Sequence, residues 1–212
     1  RAVFERLERG GVALPCGDAL TPERLQLVGS QLGFSYGAAQ LHYLFERAFV
    51  PGTDSFSRSF LRGVEGLQSF DTNPFYAILH EACYAQGGPT AWAAHRVREE
   101  HPEFAPSVAP RAPMFTGEMV YPWFLEQFSA LQSLAEVGEL LAAKSDWPAL
   151  YDPEALGRNK VPVAALVYHD DMFVPADLSI ETAGRIKGLE PWITNEHEHD
   201  GLRADGANVF EK

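Results

Sequence analysis

The sequence has few cysteines, few basic residues and no long apolar run, and each shortage argues against a class of protein. Cys16 and Cys83 are its only cysteines, too few and too far apart for a disulfide framework or a cysteine-based metal site. We therefore expect a reducing, cytoplasmic setting. Lysine and arginine number 17 against 29 acidic residues, giving a net charge of −12, so we expect no nucleic-acid partner. No apolar stretch reaches the roughly 18 residues of a membrane span, so we expect no membrane segment.

The sequence also lacks an N-terminal signal segment, in which basic residues precede an apolar stretch. It begins at Arg1 rather than at Met, and residues 2–11 have the pattern of a helix that runs into a loop. We therefore expect the chain to be part of a longer protein.

Up to about residue 155, apolar residues recur at helical spacing and almost no strand is predicted. Thr21-Pro22-Glu23 is typical of a helix start, with an N-cap hydroxyl followed by proline at the first helical position. A proline-rich connector occupies residues 102–113. After it, the spacing of apolar residues predicts one long amphipathic helix over residues 126–144.

Strand patterns appear only after residue 155. Residues 161–168 form a continuous apolar run, which predicts a strand buried on both faces. A helix is predicted over residues 176–187, a second short strand over 192–194, and a further helix from residue 204. This alternation indicates an α/β fold with parallel strands. Because two strands do not make a stable sheet covered by helices, we expect the remaining strands to lie before residue 1.

An acidic residue and a histidine follow the two predicted strands. In open α/β sheets, functional groups collect at the carboxyl ends of the strands, where the sequence has Asp171 and His199. This is the last part of the Ser…Asp…His order of α/β-hydrolases. In that triad the imidazole takes the serine proton, and the carboxylate fixes the imidazole tautomer. We predict that Asp171 and His199 are catalytic, with Asp170 and His197 as the neighbours that can take these roles instead.

Five segments of the sequence carry motifs of one enzyme family. The acid loop reads Asp-Met-Phe-Val-Pro, the histidine loop Glu-His-Asp-Gly-Leu-Arg, and the most specific segment Phe-Thr-Gly-Glu-Met. The five segments are 41–46, 79–87, 115–123, 171–175 and 198–203, and they resemble those of proline iminopeptidases. The resemblance extends from about residue 10 to residue 210 and implies an α/β-hydrolase fold with a large helical cap. Residues 1–155 then correspond to the cap, and residues 156–212 to the C-terminal part of the catalytic domain. The N-terminal part, with the nucleophile, is expected to be missing.

Two glutamates of the helical region are candidate substrate ligands. Glu81 and Glu118 each lie among uncharged, largely apolar or aromatic neighbours, and a buried carboxylate is costly without a cationic partner. An aminopeptidase must bind a free ammonium group, which carboxylates hold by charge-assisted hydrogen bonds. The resemblance implies this role for both glutamates, because iminopeptidases use cap glutamates to hold the substrate amine. Each glutamate can alternatively face solvent or pair with an arginine.

Ser35 matches the pattern of a nucleophile without its context. Gly33-Phe34-Ser35-Tyr36-Gly37 fits the G-x-S-x-G elbow, in which a buried strand turns sharply into a helix. The residues before Gly33 are predicted to be helical, and the resemblance puts this stretch in the cap. We therefore interpret Ser35 as a residue of a helix-to-helix turn and expect the nucleophile upstream of Arg1.

The function predicted from the sequence is release of N-terminal proline from peptides through an acyl-enzyme, without a metal or organic cofactor. The expected partners are a peptide with an N-terminal proline and the missing N-terminal part of the same enzyme; this chain alone is expected to be inactive. His197 and His199 superficially resemble metal ligands but lack a third cluster. The alternatives are another capped esterase or amidase, which gains nothing from paired glutamates, and a non-catalytic binding domain on the same fold.

Overall fold

The chain divides into a helical unit and a sheet unit. A computed structural model describes residues 1–68, 70, 72–107 and 111–212. The helical unit comprises Arg1–Ser30 and Leu41–Pro148, and the sheet unit comprises Gln31–Gln40 and Ala149–Lys212. Within the described residues, no helix combines the length and the apolar character that crossing a membrane requires. The assignment of residues 1–155 to a cap and 156–212 to a catalytic domain stays a prediction.

Helices dominate the first 160 residues, as the sequence predicts. The α-helices before the first strand are α1 (Ala2–Glu8), α2 (Pro22–Gln26), α3 (Gly37–Glu46), α4 (Arg58–Gly66), α5 (Pro74–His80), α6 (Ala93–Glu99), α7 (Phe124–Gln127), α8 (Ala135–Ala143) and α9 (Pro153–Gly157). Short 3-10 helices occupy Leu27–Gly33, Glu81–Tyr84, Pro102–Phe104 and Ser129–Leu134. The predicted start of α2 is confirmed, because the Thr21 hydroxyl accepts a hydrogen bond from the Arg24 N–H at 3.1 Å.

The core of the helical unit is built mainly from α5, α7 and the segments that follow them. Its buried side chains are Leu27, Ala77, Ile78, Trp92, Val120, Tyr121, Phe124, Leu125, Phe128, Leu131 and Ala142. Aromatic rings make up much of this core, and full burial of each contributes on the order of 2–3 kcal/mol. The core therefore holds Ala77 and Ile78, just before Glu81, and Val120 and Tyr121, just after Glu118.

The prediction of one long helix over residues 126–144 is wrong, because the structure has separate helical segments there. Phe128 has extended backbone angles (φ −102°, ψ 112°), and the chain passes from α7 into a 3-10 helix and then into α8. The buried Arg24 donates to the Gln127 carbonyl at 2.8 Å, and its guanidinium lies 3.8 Å from the centre of the Phe128 ring. The apolar spacing persisted across this break because both sides of it face the same core.

The sheet unit contains two parallel strands with a helix between them. Strand β1 (Val163–Tyr168) pairs with β2 (Leu189–Thr194) in the register Val163↔Leu189 to Tyr168↔Thr194. Helix α10 (Ala176–Arg185) connects the strands, and α11 (Gly201–Glu211) follows β2. The predicted strand, helix, strand, helix order is confirmed, although β2 and α11 each begin three residues earlier than predicted.

Burial of β1 on both faces is not observed in this chain. Of its residues only Val167 is buried, Ala164 is exposed, and Val161, just before the strand, is 67% exposed. The difference has a simple cause: in the part of the chain that the structure describes, β1 pairs with β2 alone. A strand with one neighbour has less cover than the centre of a larger sheet.

Candidate active site

Parallel pairing of β1 and β2 brings the two loops that carry the predicted acid and histidine to one edge of the sheet. Tyr168 and Thr194, the last residues of the two strands, are register partners. The ladder continues one step further, since the His169 N–H donates to the Thr194 carbonyl at 2.8 Å. The loop after β1 carries Asp171 and the loop after β2 carries His199, so both start from the same level of the sheet.

The structure brings Asp171 and His199 into direct contact. The Nδ1 atom of His199 lies 2.8 Å from Oδ2 of Asp171. The other carboxylate oxygen, Oδ1, accepts the N–H groups of Phe173 at 2.7 Å and Val174 at 3.0 Å. Because both oxygens are engaged, the orientation of the carboxylate is fixed. With Nδ1–H donated to Asp171, Nε2 is the imidazole nitrogen left with a free lone pair.

Burial and hydrogen bonding act on Asp171 in opposite directions. Its side chain is 5% exposed, and burial alone would raise the pKa of the carboxyl. Hydrogen bonds from His199 and from the N–H groups of Val174 and Phe173 outweigh burial, so the pKa of Asp171 is lowered from its ordinary value of 3.8. The carboxylate is therefore charged at neutral pH. The His199 side chain is 41% exposed, which leaves its ring accessible to a reacting group.

The structure distinguishes the predicted pair from its neighbours. Asp170, the alternative acid, lies 3.1 Å from Nδ1 of His169, and both of these side chains are about two-thirds exposed. His197, the alternative histidine, is half-buried beside Gly201. Of the two carboxylates, Asp171 is thus the one that contacts His199.

Aromatic rings hold the His199 imidazole in place. The ring of Phe173 lies 5.0 Å from it, centre to centre, and the ring of Tyr168 lies 5.8 Å away in an edge-on arrangement. Both residues belong to the same segment as Asp171, one at the end of β1 and one in the acid loop. The loop that supplies the acid therefore also supplies the surface on which the histidine packs.

Ser35 lies in a turn between two helical segments, as predicted. It follows the 3-10 helix Leu27–Gly33 and precedes α3, so no strand leads into it. Its hydroxyl donates to Oδ1 of Asp200 at 2.7 Å, and its backbone N–H donates to Oδ2 of the same residue at 3.1 Å. The hydroxyl is thus held by a carboxylate rather than by an imidazole. The strand-to-helix context of a nucleophile elbow is not present at this position.

Glu81 is buried in the helical unit. The residue is 1% exposed, and its Oε1 accepts a hydrogen bond from the N–H of Ala93 at 3.1 Å. That N–H belongs to the first turn of α6, which Trp92 enters with left-handed backbone angles (φ 56°, ψ 62°). Within the described residues, the second oxygen, Oε2, is buried without a hydrogen-bond partner. Glu81 therefore stabilises a helix start with one oxygen and has the other free for a donor.

Glu118 is exposed and accepts a hydrogen bond from the Tyr76 hydroxyl. Burial, followed by this hydrogen bond and the negative charge of Glu118, raises the pKa of Tyr76. The Tyr76 phenol consequently stays protonated and remains a donor to Glu118. The structure therefore gives Glu118 a neutral partner rather than an arginine.

Tyr84 connects the two glutamates electrostatically. Burial is the largest cause that raises the pKa of the Tyr84 phenol, and the negative charge of Glu81 is the second, with Glu118 acting in the same direction. Both carboxylates thus act on one hydroxyl. Buried polar atoms of nearby side chains also lack hydrogen-bond partners among the described residues; these are Nδ1 of His80, Nδ1 of His95 and Nε1 of Trp123. Their rings belong to two aromatic groups: His80 contacts Tyr84, whereas His95 contacts Tyr121, which stacks on Trp123.

Within the described residues, no three His, Cys, Asp or Glu side chains group as metal ligands do. Two carboxylate sets therefore remain as the candidate chemistry. The first is the Asp171–His199 pair of the sheet unit. The second is the pair of glutamates, Glu81 and Glu118, in the helical unit. All four residues were predicted from the sequence, and their roles stay predictions. Asp200, Tyr76 and Tyr84 were not among the predicted site residues, and only their closeness in sequence to those residues was a sign.

Comparison with known proteins gives two curated relatives and no matching protein-family model. The chain is 47% identical over 206 residues to the proline iminopeptidase of Aeromonas sobria, covering 97% of this chain and 48% of that protein. It is 32% identical over 212 residues to proline iminopeptidase aneH of Aspergillus aculeatus, covering 99% of this chain and 47% of that protein. The chain thus spans about half the length of the curated relatives it matches.

The two-stranded parallel sheet flanked by helices is compatible with the α/β-hydrolase fold that these relatives imply. The resemblance that the sequence motifs indicated is confirmed at the level of whole-chain similarity. By sequence, the chain is a homologue of proline iminopeptidases across nearly its entire length.

Proposed function

We propose that this chain supplies the acid and the base of a serine aminopeptidase that releases N-terminal proline from peptides. The observation that carries the proposal is the 2.8 Å contact between His199 Nδ1 and Asp171 Oδ2, with Asp171 buried and fixed by two further hydrogen bonds. The names of the two relatives support the peptide substrate. The reaction needs no metal or organic cofactor.

The geometry supports a stepwise role for His199. Its Nε2 takes the proton of a serine hydroxyl as that oxygen attacks the carbonyl carbon of the N-terminal proline. The imidazolium, stabilised by the charged Asp171, then gives this proton to the leaving amine. In the second half of the reaction, Nε2 takes a proton from water as the water oxygen attacks the acyl carbon. The imidazolium then returns that proton to the serine oxygen as free proline leaves.

In this proposal the nucleophilic serine lies outside the 212 residues. We do not assign the role of nucleophile to Ser35, because its hydroxyl donates to Asp200 and because a helix, rather than a strand, precedes it. A second part of the enzyme, equivalent to the half of the relatives that this chain does not match, would supply the serine and the oxyanion hole. That part is the expected partner of the sheet unit.

The proposed role of Glu81 and Glu118 is to bind the ammonium group of the substrate proline. The buried, unpartnered Oε2 of Glu81 supports this role, since a cationic donor would satisfy it. Residues 1–155 would act as the cap that carries this recognition. The two glutamates also favour an aminopeptidase over an esterase, because a neutral ester has no group to pair with them.

Replacement of His199 tests the base. In the full-length enzyme, His199→Ala should lower kcat on the order of 10³-fold or more, because the serine hydroxyl loses its proton acceptor. The matched control is His197→Ala, two residues away in the same loop, which should retain kcat within about twofold. Steady-state kinetics on a prolyl nitroanilide measures both variants. Equal losses in the two variants would contradict the assignment of the base to His199.

Replacement of Asp171 should make stability less sensitive to acid. Folding lowers the pKa of Asp171 below its ordinary value of 3.8, so the charged carboxylate stabilises the folded state. This stabilisation is fully present above pH 3.8 and is lost as the pH falls through the pKa of the folded state. Asp171→Asn should therefore lower the melting temperature at about pH 6, and the difference from the native protein should narrow below about pH 3. Thermal melts of both proteins across this range measure the effect, with Asp170→Asn as the control. A deficit that is independent of pH would show that the charge of Asp171 is not what stabilises the loop.

Replacement of the glutamates separates substrate recognition from structure. For a substrate with a free N-terminal proline, Glu81→Gln should reduce transition-state stabilisation by roughly 2–5 kcal/mol, because one charge of a buried pair is lost. This loss lowers kcat/KM on the order of 10²-fold or more. Glu118→Gln should reduce transition-state stabilisation for the same substrate by about 1 kcal/mol or less, since Glu118 is exposed. A neutral nitrophenyl ester should be hydrolysed at nearly native rates by both variants.

The control for these variants is Glu126→Gln, a change at an exposed glutamate of the same unit that should affect neither substrate. Melting temperatures check the contact between Glu81 and Ala93, which glutamine can preserve through its carbonyl oxygen. A Glu81→Gln variant that loses stability and loses both activities equally would mean that Glu81 serves the start of α6 and not the substrate.

A further inference from the structure

The G-x-S-x-G motif lacks the strand of a nucleophile elbow, yet its first three residues each have a specific contact in the sheet unit. Gly33 accepts the N–H of His199 on its carbonyl at 3.0 Å. Phe34 lies 5.7 Å, centre to centre, from Phe173, the ring that packs on the His199 imidazole. Ser35 donates twice to Asp200, the residue after His199. Three consecutive residues therefore contact the histidine loop or the side chain that supports it.

Both oxygens of the Asp200 carboxylate accept hydrogen bonds from Ser35. Asp200 is 6% exposed, and its side chain does not cap α11, although it precedes that helix. In the part of the chain that the structure describes, no lysine, arginine or histidine forms an ion pair with it. A buried carboxylate that lacks a cation depends on its hydrogen bonds, and here both of its oxygens accept from Ser35. The pair is therefore a strong constraint on the backbone next to His199.

The two glycines of the motif are required by close approach. A Cβ on Gly33 would overlap the ring of Phe173, and a Cβ on Gly37 would overlap the carbonyl oxygen of Gln31. Glycine at the first position lets the backbone reach both the His199 N–H and the Phe173 ring. Glycine at the second position lets α3 begin directly after the turn. Close packing thus explains both glycines, the first against the Phe173 ring of the acid loop and the second against the Gln31 carbonyl.

We propose that residues 33–37 form a clamp that positions His199 against Asp171, with Ser35 and Asp200 as positioning residues for the reaction. The inference rests on the proposed function of the Asp171–His199 pair. The clamp holds the chain on both sides of the His199 side chain: Gly33 binds the backbone N–H of His199, and Ser35 binds the side chain of the next residue. Because the backbone is fixed there, the imidazole is held where its Nδ1 lies 2.8 Å from Oδ2 of Asp171. Small displacements of such a group reduce turnover strongly.

Removing one hydroxyl from the full-length enzyme tests the clamp. Ser35→Ala should lower kcat about tenfold and leave KM unchanged, since the clamp orients the base and does not contact substrate. Ser35→Thr keeps the hydroxyl, and Ser35 is exposed enough to accept a methyl group, so this variant should recover at least half of the native kcat. The matched control is Ser57→Ala, which removes the N-cap hydroxyl of α4 in the helical unit. It should lower the melting temperature without changing kcat.

A double variant shows whether the effect acts through the acid–histidine pair. If the clamp works by aligning His199 with Asp171, Ser35→Ala should cost less than about twofold in kcat once Asp171 is already Asn. Losses that multiply in the double variant, or a Ser35→Ala variant that loses only stability, would overturn the clamp while leaving the proposed function intact. A fully active Asp171→Asn variant would overturn the proposed function and the clamp together.

Discussion

The parallel pairing of β1 and β2 is the constraint on which the candidate active site depends. The strands end at the same level, and a hydrogen bond from His169 to Thr194 extends their pairing by one residue. Two loops that are distant in sequence therefore leave the sheet side by side. The Asp171–His199 contact then requires only that each loop be rigid, which the hydrogen bonds of Asp171 and the aromatic packing of His199 provide.

The parts of the site that could be predicted from the sequence follow from local patterns. A continuous apolar run, a helix and a second short run predicted parallel strands, and the residues after those strands included both Asp171 and His199. The rejection of Ser35 as a nucleophile also came from local evidence, since Thr21 and Pro22 begin a helix that leads toward it. The predicted strands, helices and helix-to-helix turn are confirmed because hydrogen bonding and steric effects between near neighbours determine such elements. The roles of Asp171, His199 and Ser35 stay predictions.

The rest depends on contacts between distant residues, which no local pattern contains. The break at Phe128 is associated with Arg24, more than one hundred residues earlier. Gln26 is fully buried and bridges the carbonyls of Phe104 and Met114 and the guanidinium of Arg98, although a glutamine in a helical pattern is normally assigned to the surface. Likewise, Ser35 and Asp200 are 165 residues apart. In each case the partner that allows a polar group to be buried is supplied by the fold.

We propose that His199 and Asp171 activate a serine that is not Ser35. Treating the full-length enzyme with a serine-directed fluorophosphonate and locating the modified residue by peptide mass spectrometry tests this proposal. We expect one labelled serine outside these 212 residues, an unmodified Ser35, and loss of labelling in His199→Ala. A covalent adduct on Ser35 would contradict it.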